Sequence, residues 1–209
     1  MFKPTLVLMD EPLGALDKQL REHMQLELKA LHRSLGITFV YVTHDQTEAL
    51  TMSDRVAVFD QGIIQQVAHV STLYESPCNR FVAGFVGDCN QLQATLVSTQ
   101  TDACIVRLPD GTELAALNIN GLSGVAPCVL AIRPERIRVG AAGQANTITA
   151  TALDTVYFGD HVRLRCQITD NPPVFIKVPL SDSGAISTLS PGSSIHLHIA
   201  TQYARAFSP

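Results

Sequence analysis

The spacing of hydrophobic positions changes character along the chain. Thr5 to Met9 is a continuous run of β-branched and aliphatic residues, stopped by Pro12. Such a run predicts a short strand buried on both faces of a parallel sheet. Leu20, Met24, Leu28, Leu31 and Leu35 then recur at helical spacing, predicting an apolar stripe that faces the sheet. Asp17 stands where an N-cap belongs and Gly36 where a helix ends. Ile37 to Val42 returns to a strand pattern, so the opening predicts a βαβ unit with a right-handed crossover. Asp45 and Glu48 have capping-box spacing for a helix reaching about Ser53. Val56–Phe59 and Ile63–Val67, flanking Asp60-Gln61-Gly62, predict a hairpin. Short helical pieces follow near Leu73 and from Asn79 to Val86.

Beyond about Asp88 alternation with a period of two takes over. The predicted strands are Leu92–Ser98, Ala103–Leu108, Glu113–Leu117, Val129–Val139, Thr147–Tyr157, Val162–Ile168, Val174–Val178 and Ser194–Thr201. Pro109-Asp110-Gly111 and Phe158-Gly159-Asp160 are turn signals between them. Many short strands with regular turns predict a small barrel or sandwich. Pro127–Ile132 and Pro191–Ile199 each place a proline just before an apolar strand, the trace of a duplicated β unit. The fold class is α/β followed by all-β, divided at 88/89.

Composition narrows the function. Hydrophobic residues form 46% of the 209 and charged residues 16%, which makes the chain globular rather than disordered. A net charge of −4 argues against a nucleic-acid partner, which needs a basic face. No apolar run reaches the length of a membrane span. The opening Met-Phe-Lys-Pro-Thr lacks the apolar core of a signal peptide, so a cytoplasmic location is expected. The five cysteines never form a Cys-x-x-Cys pair, which fits reduced, buried thiols better than disulfides or zinc. His196 and His198 share one face of a strand, but spacing supplies no third ligand, and a solvated strand face is the preferred reading.

The chemistry concentrates near the start. In LVLMDEPLGALD (6–17), Asp10 ends a strand at the edge where α/β sheets bind ligands. Magnesium takes hard oxygen donors and needs few from the protein, so one aspartate suffices. Glu11 beside it can polarise an attacking water. His44 follows the next strand, which brings it toward Glu11 at the same edge.

At these residues the sequence resembles the C-terminal half of an ATP-binding subunit of an ABC transporter. LVLMDEP is similar to the Walker B segment, GALD to the D-loop and VTHDQTEAL to the switch-histidine loop. SDRVAVFDQGII resembles the closing hairpin, and LYESPCNRFVAGFVGDCN the linker to an accessory domain. LAIRPERIRV (130–139) and YFGDHVRL (157–164) resemble that domain, called TOBE. The resemblance implies part of a P-loop NTPase (RecA-like) parallel-sheet domain over 1–88. Over 89–209 it implies a barrel-like, OB-like TOBE domain. It points to importers of polyamines, iron, sugars and similar solutes.

The resemblance also implies roles. Asp10 would orient magnesium, largely through water, and Glu11 would be the base or water-orienting carboxylate. His44 would contact the γ-phosphate of ATP, and Asp17 would organise a facing subunit. Implied partners are a second ATP-binding subunit, membrane-spanning permeases and, indirectly, an extracytoplasmic solute-binding protein. The location would be the inner face of the cell membrane. Arg133 and Glu135, in the TOBE segment, are expected to brace a turn or contact rather than do chemistry.

The phosphate loop Gly-x-x-x-x-Gly-Lys-Ser/Thr and the Leu-Ser-Gly-Gly-Gln signature occur nowhere in the chain. Gly121-Leu122-Ser123-Gly124 lies in the β part and opens no helix. The expectation is therefore a truncated or partial subunit that does not hydrolyse ATP alone. The alternatives are an inactive remnant whose TOBE part is a small-ligand or regulatory module, and a non-transport ABC ATPase. The acidic charge, the Asp-Gln-x-Glu-Ala helix and the C-terminal β part oppose the last.

Overall fold

A computed structural model describes residues 4–186 and 189–209. Met1–Lys3, part of the opening read above for a leader, lie outside the described residues, as do Ser187 and Thr188. The chain divides into two compact units, one ending at Ser76 and one running from Pro77 to Pro209.

In the first unit, strand β1 (Leu6–Asp10) pairs in parallel with β2 (Thr38–Val42), Leu6 opposite Thr38 and Asp10 opposite Val42. Helix α1 (Lys18–Leu35) connects them. Its ends are those expected. Asp17 Oδ1 accepts the Leu20 N–H at 2.9 Å, and Gly36, at φ 63°, closes the last turn by donating to the His32 carbonyl. Helix α2 (Gln46–Met52) starts at Asp45, whose side chain accepts the Thr47 and Glu48 N–H groups. The reciprocal half of a capping box is absent, because the Asp45 N–H bonds to Thr43 Oγ1 instead. Strands β3 (Arg55–Asp60) and β4 (Ile63–His69) form the expected hairpin. Gln61 and Gly62 both have positive φ, as a tight turn matched to strand twist requires. Helix α3 (Val70–Glu75) follows directly.

Burial in this unit departs from expectation. β1 and β2 are not buried on both faces. Phe39 packs its ring at a tilt against His32 of α1, and Tyr41 donates to the Glu48 carbonyl, so helices cover one face. The other face carries Leu6, Leu8, Val40 and Val42, all exposed, with Leu8 at 71%. A two-stranded sheet with helices on one side leaves its second face bare. The stripe of α1 is not sealed either, since Leu20, Leu31 and Leu35 are exposed. The one buried residue of α1 is Gln25, which accepts from Thr51 Oγ1. Arg21, Gln25 and Lys29, spaced by four, form a polar seam against α2, with Lys29 donating to the Thr51 carbonyl.

The second unit opens with helix α4 (Arg80–Phe85), capped by Asn79. Strands β5 (Asn90–Thr99), β6 (Ala103–Arg107), β7 (Glu113–Asn118), β8 (Pro127–Ile132) and β14 (Ala204–Phe207) close into a barrel in the order β14-β7-β6-β5-β8. Strands β9 (Ile137–Val139), β10 (Thr147–Tyr157), β11 (His161–Gln167), β12 (Val174–Pro179) and β13 (Ser194–Ile199) form a sheet in the order β12-β11-β10-β13-β9. The predicted strand Val129–Val139 is broken by a 3-10 turn at Pro134–Arg136, because proline cannot donate to a ladder. The chain crosses there from barrel to sheet.

The two sheets are copies of one unit with exchanged last strands. β5 is flanked by β6 and β8 as β10 is flanked by β11 and β13. After β8 the turn Pro134–Arg136 delivers β9 to the partner sheet; after β13 the turn Thr201–Tyr203 delivers β14 to the barrel. Ile137 sits opposite Ile199 as Ala204 sits opposite Ile132. Asn90 brackets the backbone of Phe175 in β12 with two hydrogen bonds, and Asn146 brackets Ala115 in β7 in the same way. A β-bulge follows each asparagine at the same spacing, near Leu96 and near Ala152. One apolar core runs through both copies, including Leu92, Leu96, Leu130, Ile148, Leu164 and Leu197.

Residues 77–88 pack with this second unit, although the change of sequence texture lies near Asp88. Arg133, 6% exposed, explains why. Its Nη1 donates to the carbonyls of Ala83, Gly87 and Asp88, pinning α4 and the segment after it to the end of β8.

Candidate functional site

Parallel pairing puts the C-terminal ends of β1 and β2 side by side. Asp10 is the last residue of β1, on the same face as Leu6 and Leu8, and it is exposed. Glu11 follows in a left-handed backbone conformation, φ 43°, with its N–H donated to the Val42 carbonyl at 2.9 Å. That bond continues the ladder one residue beyond the strand and fixes Glu11 to the end of β2. A positive φ is uncommon for a non-glycine residue and turns the chain sharply here. The loop to α1 is then closed by Gly14 N–H to Glu11 O and Leu16 N–H to Leu13 O, with Leu13 buried beneath.

His44 leaves the end of β2. Its Nδ1 lies 3.1 Å from Glu11 Oε1. A carboxylate only accepts, so Nδ1 carries the proton in this pair. Both side chains face solvent, Glu11 53% and His44 76% exposed, so the contact contributes little stability of its own. The structure thus brings together Glu11 and His44, with Asp10 adjoining through the chain. Asp17 is not part of this contact; its carboxylate caps α1.

A denser arrangement lies behind His44, and sequence reasoning missed most of it. Glu48, 2% exposed, accepts the Thr43 hydroxyl at 2.7 Å. Arg21 pairs with Asp45 at 2.9 Å. Asp45 is held below the usual carboxylate range. Burial acts to raise it, but the Glu48 and Thr47 N–H groups and the Arg21 charge outweigh burial. The capping spacing of Asp45 and Glu48 was visible in the sequence. The part played by Arg21 was not, because its partner lies on another element.

Among the described residues no group of three or more His, Cys, Asp or Glu side chains could hold a metal ion. What the edge offers magnesium is the exposed carboxylate of Asp10, with the Glu11 carboxylate beside it engaged by His44, a donor set that fits orientation through water and not a protein cage. His196 and His198 point outward beside Thr149 and the Ala145 carbonyl, as a solvated strand face. No helix among the described residues is long and apolar enough to cross a membrane.

The class follows from comparison with known proteins. The family model described as "TOBE domain" matches residues 130–207, from within β8 to the end of β14. Together with the relatives below, this places the chain in the family of ABC-importer ATP-binding proteins, as a C-terminal region of that family. The spermidine/putrescine import ATP-binding protein PotA of Rubrobacter xylanophilus is 51% identical over 159 residues, covering 75% of this chain and 42% of that protein. PotA 1 of Pseudomonas aeruginosa is 39% identical over 198 residues, covering 95% of this chain and 53% of its own. The chain spans about half the length of the curated relatives it matches. Among solved structures, the cytoplasmic molybdate-binding protein ModG matches with a TM-score of 0.50 at 15% identity. The match covers 57% of this chain and 96% of ModG, a likeness of fold alone.

Proposed function

We propose that this chain is part of an ATP-hydrolysing subunit that powers import of polyamines of the spermidine and putrescine kind. The observation that carries the proposal is the 3.1 Å contact between Glu11 and His44 at the shared edge of two parallel strands. Relatives named as spermidine/putrescine import ATP-binding proteins support it.

In this reading the first unit belongs to a P-loop NTPase sheet and 89–209 form the accessory β part, with 77–88 the linker that packs with it. Asp10 would hold magnesium through water, and the ion would supply charge to offset the ATP phosphates. Glu11 orients the attacking water and accepts its proton. His44, whose Nδ1 is engaged by Glu11, turns Nε2 to the γ-phosphate, and donation from that nitrogen requires a proton there too. Asp17 keeps the loop from Glu11 to α1 in place by capping the helix, and that loop meets a second ATP-binding subunit. The subunit works on the cytoplasmic side, docked on membrane-spanning permeases that receive solute from an extracytoplasmic binding protein.

The test is transport. A hybrid in which this chain replaces the matching region of the Pseudomonas aeruginosa relative is placed in a strain lacking that relative, and labelled spermidine uptake is followed. The reading expects uptake to return, and to vanish with Glu11→Gln. Uptake that survives Glu11→Gln rejects the assigned role of Glu11; a folded hybrid that restores none rejects the polyamine assignment.

A further inference from the structure

The Glu11–His44 contact joins two exposed side chains, and exposed pairs of this kind do not hold their own geometry. Something behind them must set where they stand. Arg21, in the first turn and a half of α1, is placed to do so. Its three guanidinium nitrogens address three different pieces of chain. Nη1 donates to Asp45 Oδ2 at 2.9 Å, in the residue after His44. Nη2 donates to the Leu16 carbonyl at 2.9 Å, in the loop that begins at Glu11. Nε stands 3.7 Å from Glu48 Oε1 on α2 and has no hydrogen-bond partner.

Each contact leads to the site in a few bonds. Asp45 caps α2 through Thr47 and Glu48 N–H groups, and its own N–H bonds to Thr43 Oγ1 at 3.0 Å. Thr43 in turn donates to Glu48 Oε2. The residues on both sides of His44 are therefore anchored to α2 and to Arg21. On the other side, the Leu16 carbonyl ends the short loop whose turns close on Glu11 and Leu13. Arg21, from outside both loops, bonds to each of them.

We propose that Arg21 is a positioning residue that ties the loop after β1 to the turn after β2 and so fixes the placement of His44 against Glu11. The proposal rests on the reading of that pair given above. The planar fork is essential. It reaches Asp45 and Leu16 at once while its charge faces buried Glu48; a lysine keeps the charge but presents a single point of donors and cannot span both. A purely structural role, neutralising Glu48, is rescued by lysine. A positioning role is not.

The experiment uses NMR and amide hydrogen exchange on the whole chain, without nucleotide. Arg21→Lys is expected to leave the fold intact, to move the His44 ring Cε1–H signal, and to speed exchange of amides in both 13–17 and 45–48 by at least tenfold. Asp45→Asn keeps Arg21 and is expected to speed exchange in 13–17 as well. Glu11→Gln is expected to leave exchange in both segments unchanged. If Arg21→Lys leaves the His44 signal and both segments as they were, or if Asp45→Asn alters only 45–48, the proposal fails. Because no ATP is involved, that failure is separate from failure of the catalytic reading, which the uptake and turnover of Glu11→Gln decide.

Discussion

Single residues differ sharply in what they contribute here. Arg133 is buried and gives one nitrogen to three carbonyls, so its removal strands a set of desolvated acceptors. Arg133→Met is expected to cost about 3 kcal/mol in the urea unfolding of the second unit; a loss below about 1 kcal/mol would show that water replaces the guanidinium. The cysteines separate by burial. Burial pushes Cys166 up to about 12 and Cys128 to about 11, while Cys78 is exposed. Ellman's reagent at pH 8 is expected to find one fast thiol in the folded chain and all five in guanidinium. Fast reaction of Cys104, Cys128 or Cys166 would contradict the burial. Glu11 and His44 were legible in the sequence because strand ends in a βαβ unit share an edge. Arg21 was not, because a helix-surface arginine carries no mark of the loop it will bridge.

Elements were legible where a signal is local. Asp17, Gly36, Asp45 and Asn79 all mark helix ends as their chemistry dictates. Asp45 also gives the first unit a pH dependence. Its folded value lies below the ordinary 3.8, so its contribution is fully present above that value and is lost as pH falls through the folded one. Helicity of α2 is expected to decline as pH drops below about 4, followed by the amide signals of Thr47 and Glu48. Asp45→Asn should lower the stability of α2 at neutral pH and flatten that decline; an unchanged acid profile in the variant would assign it to another carboxyl. What the sequence did not disclose is which face of α1 is covered. The leucine stripe predicts apolar burial, yet the seam actually formed is Arg21, Gln25 and Lys29 against α2. Periodicity says a helix has an apolar face but not whether a partner meets it.

At the scale of the whole molecule, the two units differ in how much they bury. Among the described residues of the first, Leu13, Val58 and Leu73 are the fully buried hydrophobics, whereas the second holds a continuous core through both copies of its β unit. Hydrogen exchange is expected to protect β5, β8, β10 and β13 by orders of magnitude more than β1 and β2. Equal protection would mean that the bare face of β1 and β2 is covered in solution. The duplication was more legible than two prolines suggest. NQLQATLVST (90–99) and NTITATALDT (146–155) share an asparagine, an alanine and two threonines at equal positions. The exchange of β9 and β14 was not legible, since a four-residue strand at the chain's end carries too short a pattern.

The central claim is that Asp10, Glu11 and His44 form the magnesium-and-water side of an ATP site. Its most direct measurement is steady-state ATP turnover of three purified proteins. These are the 209-residue chain, its hybrid with the remainder of the Rubrobacter xylanophilus relative, and that hybrid carrying Glu11→Gln. The account predicts no turnover by the chain, Mg2+-dependent turnover by the hybrid, and a loss of about 100-fold or more on Glu11→Gln. Turnover by the chain itself, or a hybrid indifferent to Glu11→Gln, would contradict it.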